Sequence, residues 1–557
     1  MVITLTLALG LVSPMQQLSD AYLKELWKSS PQLASQVGYH GDGVDARLDD
    51  LSFAARQKRT KTLTDLQGRL TEARSARGIS QEDVADYELM REAIALEQLE
   101  LDEARDYSRR CDLPLDSLGS VFFAMVARPY APVEQRASDV LARLLAVPHY
   151  LDEAQKSLTT DVEIFREAAR DDGDGLVDYF EHELLPPFAK TAAAPKLKVA
   201  VADAVKAVRA YLAFVDKELT KKPKGTFRYG AKLYEKRFRP YLTTDLGPKE
   251  VLAQAEKRLV ELHAEMAKLA KQLVPSGDVK EALSKVADDH PKPSELFSTV
   301  RKQLETARAF VVEKKLMTLS SRDNLKVIET PAFLRSQLGV AAFDGAPPLQ
   351  PELGAFYYVT PFPSDWPKEK VEAKLREYNR YMLELLTIHE AMPGHYVQFE
   401  RANELVPETR RVLRWVLGAG SYVEGWAVYA QDLMVDAGYL KGDPKLRLQQ
   451  YKLELRSVSN AILDIKLHTE GMSDEAALRL MTEEAFQERP EAELKLKRAK
   501  LSVTQLCSYF VGGETWRSIR KAAEKAAGNK FDLRAFHDRA LGEGAVTLPT
   551  LRTLLAR

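Results

Sequence analysis

The chain has 557 residues, 45% of them hydrophobic and 29% charged, with a net charge of -1. That is enough chain for a large buried core, divided into two lobes rather than held in one. Acids and bases are mixed throughout, which excludes the basic face of an electrostatic nucleic-acid binder. The two cysteines, Cys111 and Cys507, could pair but imply no disulfide framework.

The apolar run "VITLTLALGLVSPM" opens the chain. It has the length of a signal-peptide core and is too short to span a bilayer. Residues 1–18 are therefore read as a signal-like segment, which predicts export to the periplasm or beyond. The alternative is a first core helix of a cytoplasmic protein. No other stretch could cross a membrane, so no stable span is expected.

Helical spacing of apolar residues then dominates. It predicts helices over 82–107, 248–273 and 444–469. Helix starts are marked by Ser80, by Gly247-Pro248 and by Ser473 before Asp474-Glu475. Proline and glycine cluster between 325 and 366, around the β-prone run "AFYYVTP". That region predicts a small hairpin or edge strand just before residue 387. The fold expected is mostly α, with an N-terminal helical lobe over 19–240 and a catalytic helical lobe over 241–557.

The chemistry begins at "TIHEAMPGHYVQ", residues 387–398. An H-E-x-x-H motif places two imidazoles on one helix face. Here the second histidine, His395, comes six positions after His389, which on an ideal helix is ~240° away from it. Pro393 and Gly394 fill the gap, and such a pair can open a helix. The pattern fits a bulge that returns His395 to a metal, and it also fits a plain helix end. Glu390 stands where a zinc hydrolase keeps its general base. Catalytic zinc usually takes three protein ligands, and Glu424 is the only charged residue across 415–431. A buried carboxylate needs a partner. That partner is a metal shared with the histidines, or a buried arginine such as Arg456. On the helix over 444–469, Asp464 and His468 lie four apart, so the acid could orient the imidazole beside the site. A salt-bridged surface pair has the same spacing.

Four stretches together carry a resemblance: "HEAMPGHYVQ", "SYVEGWAVYAQDLM", "RSVSNAILDIKLHTEGMSDEAA" and "YFVGGETWRSIRKAAEKAAGNKFDLRAFHDRALGEGAVTLPTL". In order and spacing the chain resembles a bacterial family catalogued as domain of unknown function 885, along nearly its whole length. That family is similar to the gluzincin metallopeptidases, so the resemblance implies a two-lobed helical shell around a deep channel. It implies one zinc per chain on His389, His395 and Glu424, and Glu390 as general base. It also implies a substrate-side or oxyanion cluster around Arg456, Asp464 and His468. Tyr509 and His537 fall on further family positions, Tyr509 as an oxyanion donor and His537 toward substrate. The strand with Tyr357 and Tyr358 could hold an extended peptide by backbone pairing. One departure is Gln431, which stands where the family has an acid. If that acid orients a ligand histidine, the glutamine weakens metal binding. The function implied is zinc-dependent hydrolysis of short peptides. The alternatives are metal-dependent hydrolysis of a non-peptide amide or ester, and a non-catalytic peptide binder with a relic site.

Overall fold

Helix starts follow local chemistry. Ser80 Oγ accepts the Asp83 amide at 3.0 Å to open the helix Gln81–Leu99, and Ser473 Oγ accepts the Ala476 amide at 3.2 Å. Proline occupies the first turns of Pro248–Leu273 and Pro444–Thr469, where its missing N–H costs nothing. Both helices run over the predicted spans. The helix predicted over 82–107 ends earlier, because a wider turn at Glu100–Ala104 breaks it before Arg105 adopts a left-handed conformation. The computed structural model describes residues 13–76, 78–331, 335, 340–363 and 365–556, and these are mostly helical.

Four apolar cores organise the helices among the described residues, the smallest around Leu463, Leu467, Met481 and Leu496. One is built within residues 111–219. A second joins residues 15–94 to Val412 and Leu413 of the helix Glu408–Val416. Buried ion pairs from Arg410 to Asp83 and Asp86, and from Arg414 to Asp86, reinforce that joint. The largest core takes in residues from Tyr234 to Leu555. Tyr234, Phe238 and Leu242 of the helix Gly230–Leu242 are buried in it, so the expected break at 240 falls inside an element of the larger core. Residues 1–12 of the signal-like segment lie outside the described residues. Residues 14–18 open the helix Pro14–Ser29, with Met15 and Leu18 buried. Cys111 and Cys507 are both free and buried, each in a different core, which corrects the suggestion that they pair.

The β element is a three-stranded sheet rather than a hairpin. Its strands are β1 (Leu325–Glu329), β2 (Ala341–Asp344) and β3 (Ala355–Val359), in the order β1-β3-β2. β3 pairs in parallel with β1 and antiparallel with β2. The run "FYYV" is therefore the central strand, buried at every position. Its backbone groups are committed to two neighbours, so it cannot take a peptide along its edge. Among the described residues no helix is long and apolar enough to cross a membrane.

Candidate metal centre

The late histidine is explained by a turn. The helix Arg380–Glu390 ends at Glu390, and the amides of Ala391 and Met392 both return to the Thr387 carbonyl at 3.0 Å. The Gly394 amide donates to the Ile388 carbonyl at 2.8 Å, and a new helix, His395–Ala402, begins at the next residue. A Cβ on residue 394 would lie 1.9 Å from the His389 carbonyl oxygen, so only glycine fits. His395 thus leaves the face that six helical steps would assign it. Its ring stands 4.8 Å from that of His389, nearly perpendicular at 85°.

The third group comes from the helix Gly420–Asp436. Glu424 Oε2 lies 3.5 Å from His389 Nε2 and 3.5 Å from His395 Nε2. The three ligand atoms all fall within 4.8 Å of one another. A tetrahedral ion bound at ~2.0–2.1 Å needs ligand atoms roughly 3.3 Å apart, close to both separations. Glu424 Oε2 is buried and makes no hydrogen bond, which is costly for a carboxylate unless something else satisfies it. Burial would raise its pKa, but the two histidines more than offset this and hold the carboxyl well below its usual range. The residues present fit a zinc ion. The alternative partner, Arg456, is elsewhere: its guanidinium pairs with Glu491 and reaches the Tyr378 hydroxyl at 3.5 Å.

Two packing features hold this geometry. The Trp426 indole N–H points at the carbonyls of Pro393 and Gly394, at 2.9 and 3.2 Å. The Glu424 helix is thereby tied to the turn between the histidines. Gly425 and Gly512 let that helix lie backbone against backbone on the helix Cys507–Ala527. A Cβ on Gly425 would sit 2.4 Å from the Gly512 carbonyl carbon. The close approach brings Tyr509 beside the cluster, its ring 6.4 Å from that of His389. The Tyr509 hydroxyl is bonded by Arg498 at 3.2 Å and Gln505 at 3.4 Å.

Glu390 lies next to these groups. The Phe343 backbone on β2 favours its ionised form, and the Phe343 ring stacks with that of His395, centroids 6.1 Å apart. Burial raises the Glu390 pKa to about 7, with His389 opposing and Glu424 adding. The cluster remains reachable by solvent: His389, His395 and Glu424 side chains are 13%, 10% and 21% exposed.

Several expected site residues are placed differently. His468 does not join the cluster. Its Nε2 is engaged by the carbonyls of Ala499 and Ser502, and its ring packs on Tyr234. Asp464 is no surface acid either: it is fully buried and accepts from the Tyr234 hydroxyl and the amides of Thr504 and Leu506. His537 is fully buried between the Leu316 carbonyl and the Tyr429 hydroxyl, each at 2.7 Å. Burial lowers its pKa to about 4, so it is a neutral core histidine with both nitrogens occupied. Tyr357 reaches Thr387 Oγ1 at 3.3 Å and Tyr358 reaches Asp344 at 3.0 Å. Both are buried braces rather than a peptide-binding surface. Gln431 donates to the Leu385 carbonyl at 3.0 Å. It braces the His389 helix by its backbone and is not an imidazole partner. Arg498, Lys495, Phe343 and Trp426 were not picked out from the sequence. Only Trp426, two residues after Glu424, carried a local hint. Another grouping, His149, Asp152 and Glu153, lies on the surface, where both acids pair with Lys156.

Solved structures share this fold, among them the following two. A candidate lipoprotein of unknown function from Shewanella oneidensis is 29% identical, with a TM-score of 0.82 over 98% of this chain and 100% of that one. A candidate lipoprotein from Colwellia psychrerythraea gives 0.81 over 98% and 99%, but at 17% identity it speaks to the fold alone. No curated protein matches the chain. The family model described as bacterial protein of unknown function (DUF885) matches residues 31–555, and the chain belongs to that family.

Proposed function

We propose that this protein is a zinc-dependent peptidase acting on short peptides. The observation that carries the reading is the meeting of His389 Nε2, His395 Nε2 and Glu424 Oε2, with Glu390 next to His389 in the chain. Zinc held there would supply Lewis-acid polarisation of a carbonyl and make nearby water more acidic. Glu390 accepts a proton from the attacking water and returns it to the leaving amine. Burial has tuned it toward neutrality, where both transfers are easy. Tyr509, fixed by Arg498 and Gln505, offers its hydroxyl to the developing oxyanion.

The reading of a relic site leaned on Gln431. That amide donates to the Leu385 carbonyl, a bond a carboxylate could not make, which supports reading Gln431 as a brace of the His389 helix. Export is part of the proposal: the Shewanella relative is described as a candidate lipoprotein, and the chain opens on an apolar run. The test is turnover of a mixed short-peptide library by the native protein and by Glu390→Gln, with metal content measured on both. The variant should keep its metal and lose about 10²–10⁴-fold in rate. An equal rate contradicts the role given to Glu390.

A further inference from the structure

The helix Arg489–Leu501 presents Glu491, Lys495 and Arg498 at positions i, i+4 and i+7, on one face. Their charges do not balance. Glu491 already serves Arg456, Lys374 at 3.1 Å and the Tyr378 hydroxyl at 2.9 Å. Arg498 has only neutral acceptors, Gln505 Oε1 at 3.1 Å and the Tyr509 hydroxyl. Lys495 is 9% exposed and has no hydrogen bond or ion pair among the described residues. Among the described residues neither the buried Lys495 nor the exposed Arg498 has a carboxylate bonded to it. Both lie within electrostatic reach of Glu424, and Arg498 also of Glu390. Burial, with Arg498 and Arg456 adding to it, pulls the Lys495 ammonium well below its usual range.

A buried ammonium without a counter-ion is costly. Glu491 and Glu424 favour the charged form from a distance, but burial outweighs them and neither bonds the lysine. An arriving anion would repay that cost. Arg498 adds a planar fork suited to a carboxylate, and its contact with Tyr509 places that fork next to the metal-binding cluster.

We propose that Lys495 and Arg498 form a carboxylate-binding subsite beside the metal centre, which receives the C-terminal carboxylate of a peptide. This rests on the peptidase reading and deepens it: the scissile bond would lie a short, fixed distance from a free C-terminus, so cleavage is exopeptidase-like. Neutral groups in the same place, or a fully paired lysine, would have suited an internal segment of a long chain better.

The test is binding, so it does not depend on turnover. The Glu390→Gln protein, loaded with zinc, is dialysed against three libraries of N-acetyl tripeptides, and retention is read by mass spectrometry. One library has a free C-terminus and no acidic residue. The second is its C-terminal amide. The third is an amide ending in glutamate. The free acids should be retained roughly 10- to 100-fold better than their amides. Lys495→Met, which keeps the aliphatic stem, should abolish that preference, and Lys495→Arg should restore it. Preferential retention of the glutamyl amides would overturn the assignment to a chain terminus and move it to an acidic side chain. Equal retention of all three libraries overturns the subsite. Discrimination by Glu390→Gln with no hydrolysis by the native protein would sink the peptidase reading and leave the subsite standing.

Discussion

The Trp426 indole N–H donates to the Pro393 carbonyl at 2.9 Å, across 33 residues of chain. This bond joins the helix bearing the third ligand to the turn that redirects the second histidine. Replacing the indole by phenyl keeps most of the packing and removes the donor. Trp426→Phe should cost about 1–2 kcal/mol in urea unfolding, the usual cost of a buried carbonyl left without its partner. It should also weaken zinc affinity about 10- to 100-fold, as loss of a supporting group around a metal site does. Competition with a chromophoric chelator reads the affinity directly.

Gly394 has no room for a side chain. A methyl group there meets the His389 and Ile388 carbonyl oxygens at 1.9 and 2.3 Å, so the turn must open. Gly394→Ala should destabilise the protein by about 3 kcal/mol or more, in the range of severe backbone incompatibility. Its folded fraction should carry no stoichiometric metal. Thermal melts and metal analysis on the same sample check both statements.

Tyr509 and His468 make a contrasting pair. Tyr509 touches the cluster and His468 does not. Tyr509→Phe should lower kcat about 10- to 100-fold with KM little changed, the signature of an interaction made in the transition state. His468→Asn should cost stability, because two carbonyls lose their partner, while kcat per folded molecule stays within about threefold. Steady-state rates corrected for the folded fraction separate the two.

Glu384 gives the fold a pH dependence that its neighbours do not cancel. Burial raises its pKa to about 7, against the opposing hydrogen bonds of Tyr439 and Gln303. A carboxyl raised in the folded state holds its proton more tightly there than in the unfolded chain. Its contribution is therefore fully present below the ordinary carboxylate range and is lost as pH rises through about 7. Glu384→Gln removes that loss and can still accept from the Tyr439 hydroxyl. The variant should gain on the native protein by about 1–3 kcal/mol between pH 5 and pH 8. Urea unfolding at the two pH values measures the change, and a difference that does not grow with pH would contradict it.

How much of this was legible beforehand depended on whether the signal was local. The helices starting at Pro248 and Pro444 announced themselves by proline, capping and apolar spacing. The convergence of His389, His395 and Glu424 was foreseeable as a motif, because Pro393-Gly394 and an isolated acid in an apolar helix are both visible in one dimension. What the structure adds is pairing over distance. Whether "FYYV" was an edge or a centre depended on β1 and β2, which no local pattern orders. Asp464 and His468 had the spacing of a pair, but each found its partners on other segments. His537 was expected toward substrate because it falls on a position of the resembled family, yet both its nitrogens are satisfied in the core. Arg498 and Lys495 were invisible because a basic helix surface is ordinary until its acids are found to be occupied elsewhere.

The central claim is that three side chains from three helices hold one zinc ion. Elemental mass spectrometry on tag-free protein tests it, with His395→Ala measured in parallel and folding of both confirmed by circular dichroism. The account predicts about one zinc per native chain, consistent with three protein ligands and an open position, and its loss from the folded variant. A native protein that takes up no metal after dialysis against zinc, or a folded His395→Ala that keeps it, would contradict the account.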